Sequence, residues 1–205
     1  METIRILLAD DHALLRMGLA TLLEYEDDLA VVGEASDGAE AVRLARKLHP
    51  DIVVMDLMMP VMDGVEATRR IRSESPSTRV LILTSFGTSA DIAHALDAGA
   101  AGIQMKGDSN DGLIDAIRSV AAGRTAVAQE AERTLAADPP PSLTPRQHEI
   151  LSAMARGLTN REVARQLGIS EDRVKDHVIT ILQKIGAANR TEAVAIALQK
   201  HLVKI

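Results

Sequence analysis

The chain has 205 residues, 46% of them apolar and 25% charged, with a formal net charge of −6. This profile excludes an intrinsically disordered or fibrous protein and leaves room for one large domain or two modest ones. There is no Cys and no Trp, one Phe and one Tyr, which excludes a disulfide scaffold, a thiolate metal site and an aromatic platform for single-stranded nucleic acid.

The charge is unevenly divided. Residues 1–142 carry 13 Lys and Arg against 23 Asp and Glu, whereas residues 143–205 carry 10 against 6. The short C-terminal part is the one suited to a polyanion.

The N-terminal apolar stretch reaches only to Asp10 and Asp11, too short for a signal peptide or a membrane span, so a cytoplasmic protein with no membrane partner is expected. Five short runs rich in β-branched residues follow one another: Ile4 to Ala9, Ala30 to Ala35, Ile52 to Met55, Val80 to Leu83 and Ala101 to Met105. Between them, segments such as His12 to Glu24 and Gly38 to Leu48 place Leu, Ala and Val at helical spacing. Alternation of this kind predicts an α/β domain over residues 1–123, a doubly wound, five-stranded parallel sheet with helices on both faces. Pro139, Pro140 and Pro141 stop any helix, and residues 124–142 are assigned to a Pro-rich linker. No internal repeat is evident.

Beyond the linker the strand signal vanishes. Thr144-Pro145-Arg146-Gln147 and Thr159-Asn160-Arg161-Glu162 read as capping boxes, Ser170 as a third cap, and Gly157 and Gly168 as helix ends. A small all-α unit of four helices is predicted over 143–205, at roughly 145–155, 160–167, 171–184 and 190–203.

The polar residues fall at one edge of the predicted sheet. Asp10 and Asp11 end the first strand, Asp56 the third and Thr84 the fourth, and Lys106 follows the fifth. Carboxyl ends of parallel strands share an edge, so these groups converge there. Any one of them alone reads as a turn former or a helix cap, but the set is a different matter. Three adjacent carboxylates repel one another unless cations compensate, and Mg²⁺ together with the Lys106 ammonium fits that need.

The segments Asp10-Asp11-His12, Met55-Asp56-Leu57-Met58-Met59-Pro60-Val61-Met62-Asp63-Gly64, Thr84-Ser85 and Gly99-Ala100-Ala101-Gly102 leading to Lys106 resemble the signature segments of flavodoxin-like bacterial receiver domains. The resemblance implies that Asp56 accepts a phosphoryl group from a sensor histidine kinase. It further implies that Asp11, Asp56 and the main-chain carbonyl of Met58 bind Mg²⁺, with Asp10 acting through water, and that Thr84 and Lys106 contact the phosphoryl oxygens. One position departs from the pattern: where many receivers carry an aromatic switch residue, this chain has Ile103.

Leu143 to Leu151, Gly157 to Ala164, Ile169-Ser170 and Val174 to Val178 resemble the LuxR-type helix-turn-helix, and the two resemblances together resemble the NarL/FixJ subfamily of response regulators. Val174, Val178, Ile181 and Ile185 form an apolar stripe, leaving Lys175, Asp176, Ile179, Thr180 and Gln183 on the face that such a helix lays in the major groove. Asp176 repels phosphates unless it accepts from a cytosine amino group. Phosphate attraction is then assigned to Arg161, Arg165, Lys184 and Arg190. The last helix, with Ala193, Val194, Ile196, Ala197 and Leu202, serves either to pair two DNA-binding domains, as the resemblance implies, or to close the four-helix core.

The expected function is that of a transcriptional regulator binding double-stranded promoter DNA as a phosphorylation-driven homodimer. It has a histidine kinase and RNA polymerase as further partners, and no enzymatic activity beyond its own phosphoryl transfer and dephosphorylation. Two alternatives stand beside this reading. A Mg²⁺-dependent phosphatase needs a second Asp two residues after the nucleophile, where this chain has Met58. A regulator of the same fold that works without phosphorylation draws on Ile103.

Overall fold

Along the middle strands of the sheet the central residues are apolar and buried, and successive side chains enter two separate cores. Ile6, Leu8, Ile52, Val54, Leu81 and Leu83 enter one; Leu7, Ala9, Val53, Met55, Val80 and Ile82 enter the other. A strand buried on both faces is the mark of a parallel sheet sandwiched by helices. The computed structural model describes residues 3–85, 88–137 and 139–203, so the chain ends and Asp138 of the expected linker lie outside the described residues.

The N-terminal unit alternates β1 (Ile4–Ala9), α1 (Ala13–Glu24), β2 (Leu29–Ala35), α2 (Gly38–Leu48), β3 (Ile52–Met55), α3 (Gly64–Glu74), β4 (Arg79–Thr84), α4 (Ser89–Asp97), β5 (Gly102–Met105) and α5 (Asn110–Ala121). Leu23 of α1 and Leu113, Ile117 and Val120 of α5 cover one face. Ala41 and Ala45 of α2, Ala67 and Ile71 of α3, and Ile92 and Ala95 of α4 cover the other. All strand pairs are parallel.

Two expectations need correction. The sheet has six strands, in the order β2-β1-β3-β4-β5-β6, not five. The sixth, β6 (Ala126–Val127), and the helix α6 (Gln129–Ala137) occupy residues assigned to the linker. Gly102 pairs with Ala126 and Ile103 with Val127, and Ala131 of α6 is buried in the same core as Ile82, Ile92 and Ile103. The compact N-terminal unit accordingly runs to residue 138.

The C-terminal unit spans residues 139–205 and contains α7 (Pro145–Ala155), α8 (Asn160–Leu167), α9 (Glu171–Ile185) and α10 (Arg190–Gln199). Both expected capping boxes form, with Pro145 in the first turn of α7. Ser170 accepts a hydrogen bond from the backbone of Arg173, and Asn189 from that of Glu192. Gly168 and Gly186 close α8 and α9 in the left-handed conformation, with φ of 65° and 76°, which glycine adopts without steric cost. The last helix stops at Gln199, earlier than the expected 203. His201 turns the chain with φ of 52° and brings Leu202 and Val203 into the interior.

Candidate phosphoacceptor site and candidate DNA interface

At the carboxyl edge of the sheet the register sets the site. Ala9 pairs with Met55, and Thr84 with Met105, so the residues that follow β1, β3 and β5 come together. Oxygens of Asp10, Asp11 and Asp56 and a ring nitrogen of His12 lie within 4.8 Å of one another. The Lys106 ammonium reaches Asp10 Oδ2 at 2.6 Å and Asp56 Oδ2 at 3.2 Å. Asp10, Asp56 and Thr84 are buried, whereas Asp11 is exposed. Burial pushes the Asp56 carboxyl above the ordinary aspartate value; Lys106 pulls it back, and the charge of Asp10 adds to the rise.

Backbone geometry fixes these groups. Asp56 N–H donates to the Ala9 carbonyl at 2.8 Å, and Lys106 N–H to the Thr84 carbonyl at 2.8 Å. The loop after Asp56 is held by Gly64 N–H on the Leu57 carbonyl at 2.9 Å and by Gly38 N–H on the Met62 carbonyl at 3.0 Å. A methyl group on Gly64 would stand 2.2 Å from the Asp56 carbonyl oxygen, so the loop can close this tightly only over a glycine. Met58 is an exposed residue of the loop.

Two further residues, His12 and Arg16, belong to the site. His12 donates its backbone N–H to Asp10 Oδ1 at 2.8 Å, and its ring lies 2.8 Å from Asp11 Oδ1. Arg16 of α1 donates to the Asp10 carbonyl and to Glu34 at 3.3 Å. His12 was visible beside the acidic pair. Arg16 carries no signal, because it lies a turn into α1, seven residues beyond the strand end.

Ile103 is fully buried and points away from solvent into the core shared with α4 and α6.

In the C-terminal unit, Val174 and Ile181 of α9 are fully buried while Val178 and Ile185 are half-buried. Lys175, Asp176, Ile179 and Gln183 are exposed on the opposite side. Ile179 is 56% exposed, a large apolar side chain left in water on a polar face. Thr180 is half-buried, and its hydroxyl donates to the Asp176 carbonyl at 2.9 Å. Lys175 lies 3.1 Å from Asp172 and 3.8 Å from Glu171, and its ammonium pKa is raised, chiefly through the hydrogen bond to Asp172. Arg161 and Arg165 are exposed on α8. Lys184 and Arg190 are engaged within the unit. Lys184 donates to the Ser142 carbonyl at 2.6 Å and to Gln147 at 3.1 Å. Arg190 donates to Asn160 at 3.1 Å and to the Leu158 carbonyl. Ala193, Ala197 and Leu202 are buried in the core of this unit, with Val194 and Ile196 half-buried.

Residues 6–118 match the response regulator receiver domain, and residues 141–197 match the bacterial regulatory proteins of the luxR family. This two-part build is that of a DNA-binding response regulator of two-component systems. Its relatives share the whole length. The transcriptional regulatory protein LiaR of Bacillus subtilis is 41% identical, over 98% of this chain and 99% of its own. The response regulator protein VraR of Staphylococcus aureus is 38% identical, over 98% and 100%. Among solved structures, the response regulator ChrA of a heme-sensing two-component system superposes with a TM-score of 0.60 at 39% identity, over 98% of this chain and 100% of that one. An RcsB–DNA complex superposes with a TM-score of 0.69 at 25% identity, over 97% and 99%. The chain belongs to the NarL/FixJ subfamily of response regulators. Among the described residues no helix is long and apolar enough to cross a membrane.

Proposed function

We propose that Asp56 is the phosphoacceptor and that its phosphorylation by a sensor histidine kinase promotes dimerisation and binding to promoter DNA. The observation that carries this reading is the convergence of Asp10, Asp11 and Asp56 with the Lys106 ammonium at one edge of the sheet. A carboxylate oxygen of Asp56 attacks phosphorus, the bond from phosphorus to the histidine nitrogen breaks, and its electron pair stays on the imidazole. Lys106 neutralises charge on the transferred group, and the Thr84 hydroxyl accompanies it into the site.

The all-oxygen carboxylate set suits Mg²⁺. Asp11, Asp56 and the Met58 carbonyl would hold the ion, with Asp10 acting through water. When bound, Mg²⁺ supplies Lewis-acid neutralisation of the phosphoryl oxygens. The acyl phosphate on Asp56 hydrolyses in time, which returns the protein to its resting state.

On the DNA side, Lys175, Asp176, Ile179, Thr180 and Gln183 face the major groove, and Arg161 and Arg165 contact phosphates. Lys184 and Arg190 shape the unit that presents them. Pairing of two chains grips two half-sites together and raises affinity without new contacts; RNA polymerase is then met at the promoter, in the cytoplasm. The test is intact-mass analysis after incubation with acetyl phosphate and Mg²⁺. The wild type gains one phosphoryl group and Asp56→Ala gains none. Equal labelling of the two removes Asp56 from the role.

A further inference from the structure

In β5 the residue beside Ile103 is a glutamine, and it is buried. Alternation turns Gln104 to the face opposite Ile103, where it pairs in register with Leu83 and lines a cavity with Asp115, Ala116 and Ser119 of α5. A buried amide needs a partner. Gln104 Nε2 donates to Asp108 Oδ2 at 2.6 Å, and the same oxygen accepts the Met105 N–H at 3.2 Å.

Asp108 closes a tight turn. Its own N–H donates to the Met105 carbonyl at 3.1 Å, so Met105, Lys106, Gly107 and Asp108 form a four-residue turn with Lys106 in its second place. Hydrogen bonds in both directions between Met105 and Asp108, together with Lys106 N–H on the Thr84 carbonyl at 2.8 Å, fix the backbone that carries the ammonium.

We propose that Gln104 and Asp108 are positioning residues for Lys106. Buried Gln104 anchors the Asp108 carboxylate, Asp108 sets the turn, and the turn aims the ammonium at Asp10 and Asp56, where the phosphoryl oxygens arrive. This rests on the reading of Asp56 as phosphoacceptor. A lysine has a long, entropically costly side chain, and holding it in place before the phosphoryl group arrives lowers the barrier to transfer.

The experiment uses the full chain with acetyl phosphate and Mg²⁺, comparing wild type, Asp108→Ala, Asp108→Asn and Gln104→Leu, each checked by circular dichroism. Asp108→Ala slows the rate at saturating donor by about threefold to tenfold. The half-saturating Mg²⁺ concentration stays unchanged, because the carboxylates of the site are untouched. Asp108→Asn keeps the acceptor oxygen and restores the rate. Gln104→Leu, near in volume, slows the reaction in the same sense and serves where Asp108→Ala does not fold. Wild-type rates in both Asp108→Ala and Gln104→Leu overturn the proposal, and so does a parallel shift of rate and Mg²⁺ dependence, which marks general damage to the site. A wild-type chain that takes no label refutes the reading of Asp56 instead, so the two failures are distinct.

Discussion

Ala128 N–H donates a 2.8 Å hydrogen bond to the carbonyl of Ile103, fastening the segment after α5 to the residue that stands in the aromatic-switch position. Ala131, one turn further along, is fully buried in the core that contains Ile103. The extension is therefore part of the fold, and a charge at its centre should be costly. Ala131→Asp is expected to destabilise the N-terminal unit by about 3 kcal/mol through an unpaired buried carboxylate. Urea unfolding of the full chain checks this, and an unchanged midpoint would mean that α6 is not docked.

The loop after Asp56 carries strain at one point and none to spare at another. Met62 N–H closes a three-residue turn on the Pro60 carbonyl at 2.6 Å, and Val61 at its centre has φ of 65°, a region that β-branched residues avoid. Val61→Gly is expected to stabilise the chain by about 1 kcal/mol by relieving it. Gly64→Ala acts in the opposite sense. A methyl 2.2 Å from the Asp56 carbonyl oxygen forces the loop outward, costing about 1–3 kcal/mol and slowing labelling by acetyl phosphate. Thermal unfolding and the labelling rate read the pair.

Basic residues of the C-terminal unit separate into two kinds. Lys175→Ala is expected to weaken DNA binding and to lower the slope of log affinity against log salt by about 1, with little effect on stability. Arg190→Ala deprives the Leu158 carbonyl and Asn160 of their donor and should cost about 1–3 kcal/mol of stability. Salt-dependent binding together with thermal unfolding of both variants distinguishes them.

Arg118 of α5 joins Glu26 and Asp28 at 2.7 and 2.6 Å, and its guanidinium holds the Asp28 carboxyl below its ordinary value. A lowered folded-state pKa gives stability that is present above the unfolded value and is lost as pH falls through the folded one. Arg118→Ala should therefore reduce stability near neutral pH and lose its effect at strongly acid pH. Unfolding midpoints measured across that range test the sign.

The five principal strands were legible because parallel strands buried on both faces read as unbroken apolar runs, and the acidic site because its residues end those runs. The sixth strand was not. Ala126 and Val127 are too short a run to show alternation, and α6 buries little besides Ala131, in an Ala- and Glu-rich stretch that leads to three prolines. The bonds that hold Lys184 and Arg190 within the unit were hidden for a related reason. Charge and helix position suggested phosphate contacts, whereas their carbonyl partners at Ser142 and Leu158 lie far away in sequence. Side-chain bonds to distant backbone leave no periodic trace.

The central claim, that phosphorylation of Asp56 controls DNA binding, is tested most directly by the affinity of the full chain for a selected promoter duplex with and without acetyl phosphate, in wild type and in Asp56→Ala. Tighter binding on phosphorylation in the wild type, and none in the variant, is the predicted result. Equally tight binding in all four samples would contradict it.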